Sequence, residues 1–151
     1  MRAPQRWLLR LAQGLGIAWA LPMTALGLVA GLAALAAGAR MHFSPRDLAC
    51  VFQRVPWGPG GALTLGNVIL DTGDTLARPC HTYAHAAGIG HDPPILLADH
   101  ERAHVFQYMA LGALFLPLYL LHGGVSARNR FERAADRYAL SGRGWWPWAR
   151  D

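Results

Sequence analysis

A small α+β domain behind an apolar N-terminal helix is the fold class this sequence predicts. Three observations carry it. An uncharged run of 29 residues, Leu11 to Ala39, lies near the start. A Gly-, Pro- and Asp-rich middle, 41–91, holds two short β-prone runs. A helical stretch then opens at Asp92-Pro93-Pro94. With 151 residues the chain has room for one domain and little more. Hydrophobic residues make up 53% and charged residues 15%, against roughly 25% charged in soluble proteins. This excludes a disordered or fibrous chain and argues against an ordinary soluble domain. All 14 basic residues are Arg, and nine acids leave a formal charge of +5. Such a balance suits a nucleic acid or an anionic membrane surface. The apolar excess favours the membrane, and with no nucleic-acid reading motif present no such partner is expected.

As a helix the uncharged run is about 43 Å long, more than the roughly 30 Å of a bilayer's hydrocarbon core. Arg2, Arg6, Arg10 and Trp7 form a basic and aromatic collar at its start, and Pro22 is tolerated within a membrane segment. A cleaved signal is the competing reading, because Ala37-Gly38-Ala39 has the A-x-A form. The run is nearly twice the length of an ordinary signal core, so an uncleaved anchor over 1–40 is expected. Arg2, Arg6 and Arg10 outnumber Arg40 and Arg46 beyond the run. This leans towards a single pass through a bacterial-type inner membrane, with the domain on the periplasmic side.

The domain is expected over 41–142. Ser44-Pro45 has the form of a helix start, and 55–61 is a turn-rich loop. Ala62–Leu65 and Val68–Asp71, separated by Gly66-Asn67, read as a hairpin with a II′ turn, or else as one bulged strand. Cys50 and Cys80 form no CxxC pair; they either bridge, if outside the cytoplasm, or are small buried hydrophobes. His81, His85 and His91 read as loop or surface residues, since Gly88 and Gly90 stop any helix that would align them. Asp92 has the position of a cap and Pro93 that of a first helical residue, so a helix is expected from Ile95 to at least Met109 and up to Leu121. Trp145, Trp146 and Trp148, with the arginines around them, give 143–151 the composition of a tail resting on lipid headgroups.

The chemistry lies in His100-Glu101-Arg102-Ala103-His104. Histidines four apart share one helix face and can bind one Zn²⁺. Glu101, beside that face, can reach a water on the metal without being a ligand. For this composition a chance HExxH is on the order of 0.4%. An open zinc site needs three protein ligands, and the chain has only one other Glu, Glu132. Asp136, four residues on, is placed to accept a hydrogen bond from a ligand histidine. The apolar segment Met109–Leu121 cannot cross the membrane fully, for His104 and Glu132 would then lie on opposite sides. It reads as domain core, or as a helix tip dipping into the bilayer. Gln107 reads as a packing or capping residue.

HExxH followed by ExxxD resembles the gluzincin pattern of zinc metallopeptidases. Glu132-Arg-Ala-Ala-Asp136 looks like the E-x-x-A-D element of the HtpX-like and CAAX-prenyl-protease-like membrane families. His100 to Gln107 is similar to the HExxHxxQ form of small bacterial metallopeptidase-like proteins. The resemblance covers Pro94 to Leu140. It implies a minimal zincin-like domain with zinc ligands His100, His104 and Glu132, a catalytic Glu101 and a supporting Asp136. The implied activity is hydrolysis of a peptide or protein substrate: zinc polarises the scissile carbonyl, and Glu101 moves the water's proton to the leaving amine. An extended substrate would pair with a strand edge from 62–71. An additional oxyanion donor is usual in this chemistry, and Tyr138, Tyr83 and His122 are the candidates, with no sequence feature choosing among them. The alternatives are a zinc-binding membrane protein with a structural or sensing role, and a membrane protein in which the motif is accidental.

Overall fold

In the computed structural model, which describes residues 3–149, the uncharged run belongs to one helix, α1 (Ala3–Ala36), with Pro22 inside it. Arg2 of the collar and Arg150 of the tail lie outside the described residues. Two helical stretches, Pro4–Ala36 and Leu97–Leu121, are long and apolar enough to cross a membrane.

Helix α1 is a wall of the domain rather than an anchor apart from it. Gly16, Ala20, Met23, Gly27, Gly31 and Ala34 recur every three or four residues and so share one face. Ala20 and Ala34 are fully buried. A Cβ on Gly31 would fall 2.4 Å from the Phe52 ring, and one on Gly27 2.7 Å from Val68 Cβ. Small residues therefore let the helix lie directly on the strands. Thr24 Oγ1 donates to the Ala20 carbonyl at 3.0 Å and accepts from the Asn67 amide at 3.0 Å. The expected boundary at residue 40 separates sequence compositions, not folded units.

The sheet has four strands: β1 (Arg40–Ser44), β2 (Ala49–Gln53), β3 (Ala62–Leu65) and β4 (Val68–Asp71). Their order is β1-β2-β4-β3, with only the β2–β4 pair parallel. β3 and β4 form the expected hairpin, with Leu65 opposite Val68. Gly66 takes φ 60° and Asn67 keeps a negative φ, as a II′ turn requires. No helix starts at Ser44-Pro45. There the Ser44 hydroxyl binds Asp47 Oδ2 at 2.6 Å and Leu48 adopts φ 54°, so the chain reverses into β2. The fully buried Asp71 accepts from the amides of Gly73 and Thr75 at 3.2 Å each and shapes the loop leaving β4.

β5 (Pro79–Cys80) pairs with β6 (Ile95–Leu96), and α2 (Tyr83–Ala86) lies between them. This pairing delays the next helix: α3 runs Leu97–Leu111, two residues later than expected. Asp92 does not cap it; its side chain accepts from Thr82 Oγ1 at 3.0 Å. α3 ends at Gly112, φ 58°, where a Cβ would lie 2.7 Å from Trp19 Nε1. A short 3₁₀ turn leads into α4 (Phe115–Leu121). The segment 109–121 is thus bent, with Phe115 in a core of Ala20, Met23, Tyr108 and Phe131 and with Leu114, Leu120 and Leu121 exposed. α5 (Arg130–Ser141) starts at Asn129, whose side chain accepts from the Phe131 amide at 3.0 Å, and stops at Gly142.

The Trp-rich tail packs on the domain: the Trp148 ring is 5.5 Å from Phe131, and Trp145 offers its carbonyl to Gln107. Cys50 in β2 and Cys80 in β5 stand on different sheets as free thiols.

Candidate metal centre

The HExxH segment occupies the second turn of α3, and α5 lies against it. Arg102 fixes the outer side of α3: its Nε donates to Asp47 Oδ1 at 2.7 Å, and its Nη1 lies 3.2 Å from Asp99. His100, Glu101 and His104 thereby turn inward, and all are buried. On α5, Glu132 and Asp136 are one turn apart and face α3.

Three donor atoms converge. His100 Nε2 lies 2.9 Å and His104 Nε2 3.2 Å from Glu132 Oε2, and the two imidazole nitrogens are 3.1 Å apart. Among the described residues this is the one grouping of three or more His, Cys, Asp or Glu whose ligand atoms gather closely enough for a metal ion. The outer nitrogens of both rings are occupied. His100 Nδ1 meets Asp136 Oδ1 at 2.9 Å, and Asp136 Oδ2 accepts from the Tyr83 amide at 2.7 Å. His104 Nδ1 meets Gln107 Oε1 at 2.8 Å. Each ring therefore has a partner that holds its proton on Nδ1 and leaves Nε2 as a ligand.

Glu101 stands beside the cluster and accepts a hydrogen bond from Thr64 Oγ1 at 2.6 Å. Thr64 belongs to β3, the edge strand, so hairpin, HExxH helix and α5 all border one cavity of about 130 Å³. Tyr83 and Tyr119 also line it, and the Tyr119 hydroxyl donates to Glu132 Oε1. Burial, then the nearby Glu132 charge, raises both phenols, so each remains a protonated donor at neutral pH.

The residues fit a zinc ion on their own chemistry. Two imidazole nitrogens and a carboxylate oxygen are ligands zinc favours. Two buried carboxylates, Glu101 and Glu132, line a cavity that no arginine lines, and a third, Asp136, backs His100 from outside it. Protons on the histidines supply the missing positive charge. Burial opposes a charged His100, but its hydrogen bonds to Asp136 and Glu132 outweigh it and push its pKa up to about 10. Burial likewise opposes ionisation of Glu132, yet the histidines hold its carboxyl well below the usual range. A divalent cation would replace those protons.

Of the sequence-derived candidates, His100, Glu101, His104, Glu132 and Asp136 come together. Tyr83 reaches the cavity, whereas Tyr138 does not: its ring packs on Phe106 at 5.7 Å, on another face of α5. His122 binds the Leu118 carbonyl at 2.8 Å and meets Trp148 edge-on, also away from the cavity. His81, an exposed loop residue, stacks at 4.1 Å on His85, which lies in the short helix α2 rather than in a loop. Sequence reasoning missed three participants. Gln107 was legible as a residue three beyond His104, one turn along the same helix. Tyr119 and Thr64 carry no local signal, because only the bend at Gly112 and the sheet order bring them in. The chain matches no protein-family model, no curated protein and no solved structure.

Proposed function

We propose that this chain is a membrane-associated zinc metallopeptidase with a gluzincin-like, minimal zincin-type site. The observation that carries the reading is the convergence of His100, His104 and Glu132 within one cavity that also holds Glu101 and borders a sheet edge. Zn²⁺ held by these three side chains would supply Lewis acidity to a carbonyl oxygen and lower the pKa of a water in its open position. Glu101, oriented by Thr64, accepts the proton of the attacking water and returns it to the leaving amine. Tyr83 and Tyr119 are the hydroxyl donors available to the developing oxyanion. The free edge of β3 offers backbone groups to an extended peptide, which sets the substrate class as a peptide or unfolded segment. Membrane association rests on the length and apolarity of α1.

The test has two arms on detergent-purified protein. Wild type should carry one zinc per chain and Glu132→Ala should lose it. Wild type should cleave a peptide library, while Glu101→Gln keeps its zinc and cleaves nothing. Zinc-loaded wild type that cuts no better than Glu101→Gln would leave a second reading, a non-catalytic zinc protein. Burial of all three ligands and the Tyr119 hydroxyl on Glu132 favour that alternative.

A further inference from the structure

The polar and apolar residues of α1 are sorted by side in a way an upright membrane helix does not need. At 100° per residue, Gln13 and Arg6 project beside the side of the small-residue stripe, and Arg10 at the margin between the two sides. Trp7, Leu8, Leu11, Leu15, Trp19, Leu26, Val29 and Leu32 project on the other side and are all exposed. Domain side chains cover the inner stripe from Gly16, against Met109, to Gly31, against Phe52. From the first to the last of these residues the helix rises about 22 Å, most of a hydrocarbon core. An upright α1 would carry the sheet to the same depth. Arg54, two residues beyond Phe52, would go with it together with its ion-pair partner Asp74, and their side chains are 52% and 49% exposed. Exposed charges are costly at that depth.

A second apolar face adjoins the first. Gly112 touches Trp19, and from there α4 and the following loop expose Leu114, Leu116, Leu120, Leu121 and Val125. No Asp, Glu, Lys or Arg occurs between Arg102 and Arg128. Such a pair of faces fits helices lying at the boundary of headgroups and acyl chains.

We propose that the protein lies side-on in one leaflet, with α1 parallel to the membrane surface and the outer faces of α1 and α4 immersed together. The single pass expected from the sequence is replaced by an in-plane helix. Leu116 and Val125 belong both to this face and to the cavity lining, so the mouth of the site opens at the lipid surface. The proposal rests on the membrane association put forward above and is independent of the peptidase chemistry.

Full-length protein is added to sealed vesicles of phosphatidylcholine and phosphatidylglycerol, after a ketone-bearing amino acid has been introduced at one exposed position at a time. This leaves both native cysteines in place. Spin labels at Leu8, Trp19, Leu32 and Val125 should report depths within a few Å of one another. An upright α1 would set Trp19 about 16 Å deeper than Leu8 and overturn the proposal. As a second measurement, an impermeant dye should reach Pro4 and Met41 equally from outside. Protection of one of the two also overturns it. Failure of the protein to float with vesicles would end both the side-on placement and the membrane association. Zinc content and cleavage in detergent report on the peptidase reading separately.

Discussion

Replacing Gln107 with Ala probes the least obvious support of the site. Gln107 is fully buried, and each end of its amide is engaged. Oε1 holds His104 Nδ1 at 2.8 Å, while Nε2 donates to the carbonyls of Trp145 at 2.9 Å and Phe131 at 3.2 Å. One side chain thus ties the second histidine to the start of α5 and to the C-terminal segment. Removing it frees the His104 ring to change tautomer, a loss that lowers zinc affinity about 10–100-fold for outer partners of metal ligands. It also leaves His104 Nδ1 and the Trp145 carbonyl without their partner and opens a cavity at a fully buried position, so metal-free stability should fall by about 3 kcal/mol. For a chain of this size that lowers Tm by roughly 6–12 °C. Competition with a chelating dye measures the affinity, and a thermal melt of metal-free protein measures the stability. Gln107→Glu separates the two effects, because it keeps the acceptor towards His104 and loses the donors. It should bind zinc at least as tightly as wild type while melting lower. Unchanged zinc affinity in Gln107→Ala would refute the assigned role, whatever the melting temperature.

Proton release should accompany zinc binding. His100 in the metal-free fold has its pKa near 10, above the unfolded value, so the stability it contributes is complete below about pH 6.5 and is lost as pH rises through 10. Zinc needs the neutral ring, so at pH 7 binding must expel at least one proton and apparent affinity should rise about tenfold per pH unit. Calorimetry in buffers of different ionisation enthalpy counts the protons, and a count of zero would contradict the cluster. Thr64→Val should leave zinc content intact and lower kcat by up to about 100-fold, since it frees the Glu101 carboxylate; steady-state kinetics beside metal analysis would decide. Gly31→Leu should destabilise the protein by about 1–3 kcal/mol, because its first side-chain atom already meets the Phe52 ring at 2.4 Å. Val29→Leu on the outer face should change stability by less than about 0.5 kcal/mol. Equal melting of the two variants in detergent would mean that α1 is not part of the domain core.

The donor set was readable from spacing alone, for a physical reason. Ligands on one helix must recur at three or four residues, so His100 with His104 and Glu132 with Asp136 each announce a shared face. With only two Glu in the chain, the pairing of the two helices was nearly forced. Contributions from across the fold left no such trace. Thr64 reaches Glu101 because β3 lies at the sheet edge, a consequence of β2 and β4 pairing in parallel, and parallel pairing has no short-range signature. Tyr138 has the right chemistry and lies near Asp136 in sequence, yet the helix turns it onto Phe106. Tyr119, remote in sequence, is carried in by the break at Gly112.

The surroundings of α1 were only half legible for a related reason. A run without charge says that the helix avoids water; it does not say whether lipid or protein replaces the water, because both select the same composition. What separates them is size sorted by face. Lipid accepts any apolar side chain on any side, whereas a sheet approached closely accepts only Gly, Ala and the like at the contact. Gly16, Ala20, Gly27, Gly31 and Ala34 fall on one such stripe, the large residues Leu15 and Val29 fall towards the opposite side, and Leu8, Trp19 and Leu26 flank it. The same helix thus carries both answers, protein on one side and an unpartnered apolar surface on the other. That sorting, more than total hydrophobicity, is the property that ties the placement of α1 to the placement of the metal centre, since Ala20 and Met23 pack under Tyr108 and Phe115 at the floor of the cavity.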